Sequence, residues 1–78
     1  MIDVHVPKMG MSTVEVDVLE VFVEVGEHVD EGEPLVEIEA EKAKYEIPSP
    51  AAGIVAEILV EEGDERAVGD IVARIEPD

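Results

Sequence analysis

Two lysines stand close together in the acidic stretch VEIEAEKAKYEIPSP, residues 36–50, and their amines are candidate sites for covalent chemistry. The chain has five Lys and Arg residues against 21 Asp and Glu, so Lys42 and Lys44 are a large part of its positive charge. A lysine in an exposed turn commonly serves only to keep that turn soluble. Its role here depends on the elements that hold it.

Lys42 is predicted to lie at a reversal of the chain. Alternating apolar and polar residues predict one strand arriving through residues 35–39 and another leaving through residues 44–47. The four residues AEKA between them suit a tight hairpin, although they lack the Asn-Gly pair typical of a two-residue turn. Lys42 is therefore expected at an exposed tip on a rigid support. Lys44 is the rival acceptor, but it lies two residues further along the strand and away from the tip.

The rest of the chain also follows strand patterns. VEVDVLEVFVEV at residues 14–25 alternates valine with acidic residues, and VGEHVDEGEP, PSPAAG and EEGDERAVGD supply turn signals at short intervals. No stretch sustains the apolar spacing of an amphipathic helix over three turns. The sequence therefore predicts an all-β domain of about seven or eight short strands.

An internal repeat relates residues 18–39 to residues 55–76 at an offset of 37, which places Gly26 over Gly63 and Gly32 over Gly69. The two halves are expected to form similar four-stranded units related by a pseudo-twofold axis, with their apolar faces buried against each other in a sandwich or flattened barrel. The paired glycines predict turns that require positive φ.

Composition restricts the function. Residues 1–78 make one domain, too small for a spacious enclosed active site, so a self-contained enzyme is not expected. The absence of cysteine excludes thiol chemistry by the chain itself, so any sulfur chemistry must come from an attached group. A net charge of −16 disfavours nucleic acid and anionic lipid and favours partners with basic surfaces.

Targeting signals are also missing from the sequence. No apolar run approaches the roughly 20 residues of a membrane span, and the first residues lack a basic leader and an apolar signal core. The sequence is expected to be soluble and intracellular: cytoplasmic, or in the mitochondrial matrix if a eukaryotic precursor has been trimmed.

Nearly the whole chain resembles the lipoyl domains of the acyltransferase (E2) component of 2-oxo acid dehydrogenase complexes. The resemblance is carried by VPKMGMS, VFVEVGEHVDEGEPLVEIEAEKA, EIPSPAAGIVAEILVEEGD and VGDIVARIE. The lipoylation motif of that family is Asp-Lys-Ala, and Glu41-Lys42-Ala43 matches it with one conservative departure, at Glu41. The resemblance implies a flattened barrel of two four-stranded sheets, with lipoate attached to Lys42 at a hairpin tip.

The resemblance also implies partners. A lipoate ligase or lipoyl transferase would modify Lys42, and the lipoyl arm would then serve the thiamin-dependent decarboxylase (E1), the E2 catalytic core and the flavoprotein dihydrolipoyl dehydrogenase (E3). The domain itself would be a non-catalytic carrier, monomeric in isolation. Recognition by the decarboxylase would involve the two residues beside the lysine and the loop after the first strand: Glu41, Ala43, Met9, Gly10, Met11, Ser12 and Thr13.

Other carriers remain as alternatives. Biotin-carrying domains share the architecture, but their acceptor lies in Ala-Met-Lys-Met, whereas residues 40–43 are AEKA and lack both methionines. The glycine-cleavage carrier protein also bears lipoate, yet it is longer and has added helices. An unmodified sandwich module that serves only assembly is the third alternative.

The remaining candidate residues have ordinary structural interpretations. His5 and His28 are expected to be unrelated to metal binding or acid–base chemistry. Tyr45 and Phe22, the only aromatic residues, are expected to pack in the core or on a strand face. Pro48 is expected, with Pro50, to end the strand that leaves the Lys42 turn.

Overall fold

The computed structural model describes residues 1–8, 15–41 and 43–78, which form eight β-strands and no helix. The residues that it describes therefore include no helix that could cross a membrane. The strands are β1 (Ile2–His5), β2 (Glu15–Val21), β3 (His28–Val29), β4 (Pro34–Ala40), β5 (Ala43–Pro48), β6 (Gly53–Ile58), β7 (Glu65–Ala67) and β8 (Ile71–Pro77). The predicted all-β fold is confirmed.

The strands form two four-stranded antiparallel sheets, which we call sheet A (β1-β8-β6-β3) and sheet B (β5-β4-β2-β7). Each sheet contains two strands from the first half of the chain and two from the second. The expectation that each half forms its own four-stranded unit is therefore wrong, because the halves interleave. Sequence periodicity shows which face of a strand is buried but carries no information about the partner strand.

The repeat is nevertheless visible in the backbone hydrogen bonds. The amide of Gly26 donates to the Val55 carbonyl at 2.8 Å, and at the equivalent place the amide of Gly63 donates to the Val18 carbonyl at 2.8 Å. The β-bulge between Val18 and Glu20 in β2 likewise recurs between Val55 and Glu57 in β6. The predicted pseudo-twofold relation thus holds for the backbone.

The paired glycines occupy the turns as expected. φ is +94° at Gly26 and +92° at Gly63, and it is +88° at Gly32 and +96° at Gly69. Side chains other than glycine rarely adopt this region. These turns therefore account for the recurrence of glycine at the offset of 37.

The core between the sheets is built mainly from valine, as the alternating strands require. Its buried apolar residues are Val4, Val6, Val16, Val18, Val23, Val29, Leu35, Val36, Ile38, Ala40, Ile47, Val55, Val60, Val72, Ala73 and Ile75. The one buried polar side chain among the described residues, Ser49, donates from Oγ to the Ala51 carbonyl oxygen at 2.6 Å. That bond satisfies its buried hydroxyl donor.

The two aromatic residues have different surroundings. Tyr45 lies on β5 and packs, half-buried, against the core, as predicted. The prediction for Phe22 is wrong, because this residue follows the end of β2 and leaves 38% of its surface exposed. The alternating pattern of VEVDVLEVFVEV is longer than the strand, because β2 ends at Val21 and Phe22 lies beyond it.

Candidate functional site

The predicted hairpin joins β4 to β5. These strands are paired as far as Ala40 opposite Ala43, so the connection consists of residues 41 and 42 alone. Lys42 itself lies outside the described residues, and the site is therefore defined by the residues on either side of it. The predicted strands, residues 35–39 and 44–47, are each slightly shorter than the observed β4 and β5.

The support beneath this connection is rigid because both strands are anchored in the core. β4 lies between β5 and β2, and it buries Ile38 completely and Ala40 to 1% exposure. β5 is anchored by Ile47, which is 2% exposed. Buried side chains reach to within one residue of the connection, so the position of its ends is determined by core packing.

Glu41 has an unusual backbone conformation. Its φ is +55°, and no other non-glycine residue has a positive φ in the part of the chain that the structure describes. Two-residue hairpin connections need positive φ at their first residue, which explains why Asn or Gly is common there. The missing Asn-Gly pair did not prevent a two-residue connection, because Glu41 adopts the conformation that those residues favour. Its side chain is exposed.

Carboxylates surround the strands that lead to the connection. Lys44 is exposed on β5, as expected of a residue away from the tip, and lies opposite Glu39 across the β4–β5 pair. On the other side, Glu39 lies opposite Asp17 of β2. The next outward-facing pair on β4 and β5 is Glu37 opposite Glu46.

The other recognition residues fall in two places. Ala43 opens β5 and is half-buried beside the connection. Met9, Gly10, Met11, Ser12 and Thr13 lie outside the described residues, so their predicted role in recognition by the decarboxylase stays a prediction.

The two histidines lie on different strands of sheet A. His5 shares a 2.9 Å hydrogen bond from Nδ1 to the Gly69 carbonyl oxygen. His28 places Nε2 2.9 Å from Oδ2 of Asp78, and this hydrogen bond, together with the carboxylate charge, raises the pKa of His28. Within residues 1–8, 15–41 and 43–78 no three His, Asp or Glu side chains are grouped as metal ligands.

A cleft of about 220 Å³ lies where β1 and the end of β5 approach each other, and the sequence reasoning did not anticipate it. Its lining residues are Asp3, Val4, His5, Pro7, Ile47, Pro48 and Pro50. Pro48 is six residues along an extended strand from Lys42, or about 20 Å. The cleft is therefore remote from the hairpin connection. Three of its lining residues are prolines, Pro7, Pro48 and Pro50, and Pro48 does end β5 as predicted.

Comparison with known proteins identifies this architecture. The model of one protein family, Biotin_lipoyl (biotin-requiring enzyme), matches residues 2–75. The dihydrolipoyllysine-residue acetyltransferase component of the pyruvate dehydrogenase complex from Haemophilus influenzae is 40% identical over 75 residues, which are 96% of this chain and 13% of that protein. The corresponding protein from Corynebacterium glutamicum is 42% identical over 73 residues, 94% of this chain and 11% of that protein. The chain thus spans a small part of the length of these relatives.

Solved structures agree with the sequence matches. The lipoyl domain of the 2-oxoglutarate dehydrogenase complex from Azotobacter vinelandii superimposes with a TM-score of 0.80 at 30% identity, covering 100% of both chains. A single-chain, multi-domain long-chain acyl-CoA carboxylase matches 80% of this chain and 6% of its own, with a TM-score of 0.71 and 27% identity. The chain therefore belongs to the Biotin_lipoyl family and is a lipoyl carrier domain.

Proposed function

We propose that Lys42 carries lipoate and that the domain presents this group to successive active sites of a 2-oxo acid dehydrogenase complex. The observation that supports the acceptor assignment is the two-residue connection between Ala40 and Ala43, in which Lys42 is the only amine. Lys44 is held within the β5 ladder opposite Glu39. A modifying enzyme can approach a hairpin end more closely than the middle of a strand pair.

The residues beside Lys42 fit a covalently attached arm. Glu41 is exposed, Ala43 is small, and the cleft near Pro48 lies at the other end of β5. When bound through an amide to Lys42, lipoate supplies the dithiolane sulfur chemistry that this cysteine-free chain lacks. The chain itself positions the group, because buried Ala40 fixes the end of β4 from which the connection starts. The attached arm then raises the local concentration of the group near partner active sites.

The proposed partners are the thiamin-dependent decarboxylase (E1), the catalytic core of the acyltransferase (E2), the flavoprotein dihydrolipoyl dehydrogenase (E3), and a lipoate ligase or lipoyl transferase. With a net charge of −16, the domain favours partner surfaces that are basic, because complementary charge raises the encounter rate. We place the domain in the cytoplasm, or in the mitochondrial matrix if it derives from a eukaryotic precursor.

We propose that the decarboxylase distinguishes the domain from free lipoamide by the protein surface around the lipoyl arm. Glu41 and Ala43 flank the acceptor, and they are the described members of the proposed recognition set. The loop residues Met9, Gly10, Met11, Ser12 and Thr13 complete that set. Contacts remote from the reacting group can contribute binding energy that free lipoamide lacks.

The acceptor assignment is tested by intact mass measurement after expression with a lipoate ligase, followed by peptide mapping. The wild type and the Lys44→Arg variant are expected to gain one lipoyl group on Lys42, whereas Lys42→Arg gains none and melts at nearly the wild-type temperature. A mass increase that corresponds to biotin would favour the biotin-carrier alternative. An adduct on Lys44, or no adduct in the wild type under conditions that modify a known lipoyl domain, would contradict the proposal.

A further inference from the structure

The cleft between β1 and the end of β5 has no part in the proposed carrier function. We infer that this cleft is a docking site for one aromatic side chain, tryptophan or tyrosine, carried on a basic segment of a partner protein. It lies near Pro48, about 20 Å along β5 from the hairpin connection. The cleft and the acceptor lysine are therefore separate surfaces of the domain.

The cleft lies on the pseudo-twofold axis that relates the two halves of the chain. The amide of Gly69 donates to the Val6 carbonyl at 3.0 Å, and the amide of its repeat counterpart Gly32 donates to the Ser49 carbonyl at 2.8 Å. Val6 and Ser49 are therefore equivalent positions, which makes β5 the structural counterpart of β1. β1 is an edge strand of sheet A, and β5 is an edge strand of sheet B. The cleft is thus the place where two equivalent sheet edges meet.

Equivalent residues of the two strands line the cleft, and most of them are apolar. Val4 and Ile47 are buried, at 4% and 2% exposure, and form its floor. The exposed rim consists of His5, Pro7, Pro48 and Pro50. Proline has no amide hydrogen, so these rims offer an added strand few donors. The cleft therefore favours an inserted side chain over an added strand.

The size of the cleft admits one aromatic ring system. Its volume is about 220 Å³, whereas an apolar cavity of about 150 Å³ is sufficient for a benzene molecule. Tryptophan and tyrosine are common anchors in such pockets, because they bury a large apolar surface and lose little conformational entropy. One indole or phenol ring would cover Val4 and Ile47.

His5 adds a polar contact to this apolar lining. Its Nδ1 lies 2.9 Å from the Gly69 carbonyl oxygen, which can only accept, so Nδ1 carries the proton of the neutral ring. Nε2 is then an acceptor. Tryptophan N–H and tyrosine O–H are donors, whereas phenylalanine has none. His5 therefore favours tryptophan or tyrosine over phenylalanine.

The charges around the cleft favour a basic partner segment. Asp3 lines the cleft, Glu46 occupies the equivalent position on β5, and the chain has a net charge of −16. Arg74 contacts Asp3 but also Glu57, so this arginine is shared between two carboxylates. Arginine or lysine beside the inserted aromatic side chain would therefore meet complementary charge.

The probe for this site is the blocked peptide acetyl-Arg-Gly-Trp-Gly-Arg-amide, titrated into the isotope-labelled chain while amide NMR shifts are followed. We expect saturable shifts at Val4, His5, Ile47 and Ser49, with the outer face of sheet B unchanged. Replacing the tryptophan of the peptide by alanine should weaken binding about tenfold. Replacing it by phenylalanine should weaken binding about threefold, because the hydrogen bond to Nε2 is lost.

Two pairs of variants at exposed positions test the lining itself. His5→Leu should weaken the tryptophan peptide about threefold but not the phenylalanine peptide, which separates loss of the acceptor from a change of shape. His28→Leu, on the opposite edge of sheet A, is its control and should match the wild type. Pro50→Ala removes a ring from the rim and should also weaken binding, whereas Pro77→Ala, at the end of β8, should not.

Equal binding of the tryptophan and alanine peptides would overturn the inference, because it would indicate attraction to charge alone. The inference would also be wrong if the shifts were confined to the outer face of sheet B, or if no shift saturated up to about 5 mM peptide. Failure of lipoate to attach to Lys42 would contradict the proposed function and leave this inference unaffected.

Discussion

Sheets A and B share repeated backbone hydrogen bonds and glycine turns, but they differ in the charges on their outer faces. On the outer face of sheet A, Arg74 of β8 contacts Asp3 at 3.0 Å on one side and Glu57 at 3.3 Å on the other. On the outer face of sheet B, carboxylates of neighbouring strands lie opposite each other, with Lys44 at one edge. These carboxylates are Asp17, Glu20, Glu37, Glu39, Glu46 and Glu65.

This difference shows which parts of the repeat are physically constrained. The backbone hydrogen bonds and glycine turns recur because every buried amide needs a partner and every turn needs its φ. The outward-facing side chains have no such requirement, so a position such as Glu37 of sheet B can be Arg74 in sheet A. Opposed like charges cost sheet B some stability, and they leave the sheet that carries the Lys42 hairpin strongly acidic.

The largest expected effect is on the free energy of unfolding, at a position where the two sheets differ in the space that they leave for a side chain. Gly53 in sheet A lies at the same offset of 37 from Val16 in sheet B, just before the repeated segments, and Val16 is buried, with 2% exposure. A Cβ on Gly53 would overlap the carbonyl oxygen of Glu76 and lie 2.8 Å from the Cα of Pro77. We expect Gly53→Ala to lower the free energy of unfolding by about 3 kcal/mol, since backbone atoms cannot move aside easily.

Urea unfolding measures this effect, provided that the slope of the free energy of unfolding against urea concentration is unchanged. Gly63→Ala is the matched control. Gly63 gains the same methyl group with nothing within 4 Å, so its cost arises only from φ at +92° and should be about 1 kcal/mol. A loss for Gly53→Ala no larger than that of the control would contradict the close approach of β6 to β8.

Neutralising one charge on each outer face should change stability in opposite directions. Arg74→Gln removes the cation shared by Asp3 and Glu57, so it should lower the melting temperature. Glu37→Gln removes a carboxylate that faces Glu20 and Glu46, so it should raise stability by about 0.5 kcal/mol.

Thermal melts at low salt and at about 0.5 M sodium chloride test this pair, because salt screens exposed charges and should shrink both changes. Glu31→Gln, in an exposed turn, is the control and should have little effect. Changes of the same sign in Arg74→Gln and Glu37→Gln would contradict the comparison of the two faces.

The smallest expected effect is a pH dependence at one repeated position, His28 in sheet A and Glu65 in sheet B. The pKa of His28 is raised by its hydrogen bond to Asp78 and that residue's charge, with further contributions from Asp30 and Glu33. The pKa of Glu65 is raised chiefly by repulsion from Glu15, then by a hydrogen bond with that carboxyl.

Both pKa shifts make the fold less stable as pH rises, because the folded state binds each proton more tightly than the unfolded state. The contribution from His28 is complete below its ordinary pKa of 6.5 and is lost as pH rises through the raised value. Ionised Glu65 begins to destabilise the fold above its ordinary pKa of 4.5. The melting temperature should therefore fall from about pH 5 to pH 8.

His28→Gln should flatten the plot of melting temperature against pH near neutral pH. Glu65→Gln should flatten it in the pH range where carboxylates titrate. Thermal melts across the pH series provide the measurement. His5→Gln is the control for a histidine whose ring contacts a backbone carbonyl instead of a carboxylate. A melting temperature that rises steadily toward pH 8 would contradict both assignments.

Local features of this protein could be predicted from the sequence because they depend on neighbouring residues only. Alternation of valine with acidic residues determined the strands and their buried faces, the offset of 37 determined the equivalent turns, and the recurrence of Gly26 as Gly63 determined where positive φ is needed. The acceptor candidate Lys42 could also be identified locally, because the motif Glu41-Lys42-Ala43 comes shortly after the strand pattern of residues 35–39.

The tertiary structure alone decided which strands pair, because hydrogen-bonded partners come from distant parts of the chain and their patterns are alike. It placed strands of both halves in each sheet, exposed Phe22, and brought Arg74 between Asp3 and Glu57. It also decided the left-handed backbone of Glu41, which follows from the pairing of Ala40 with Ala43 and contradicts the local preference of glutamate.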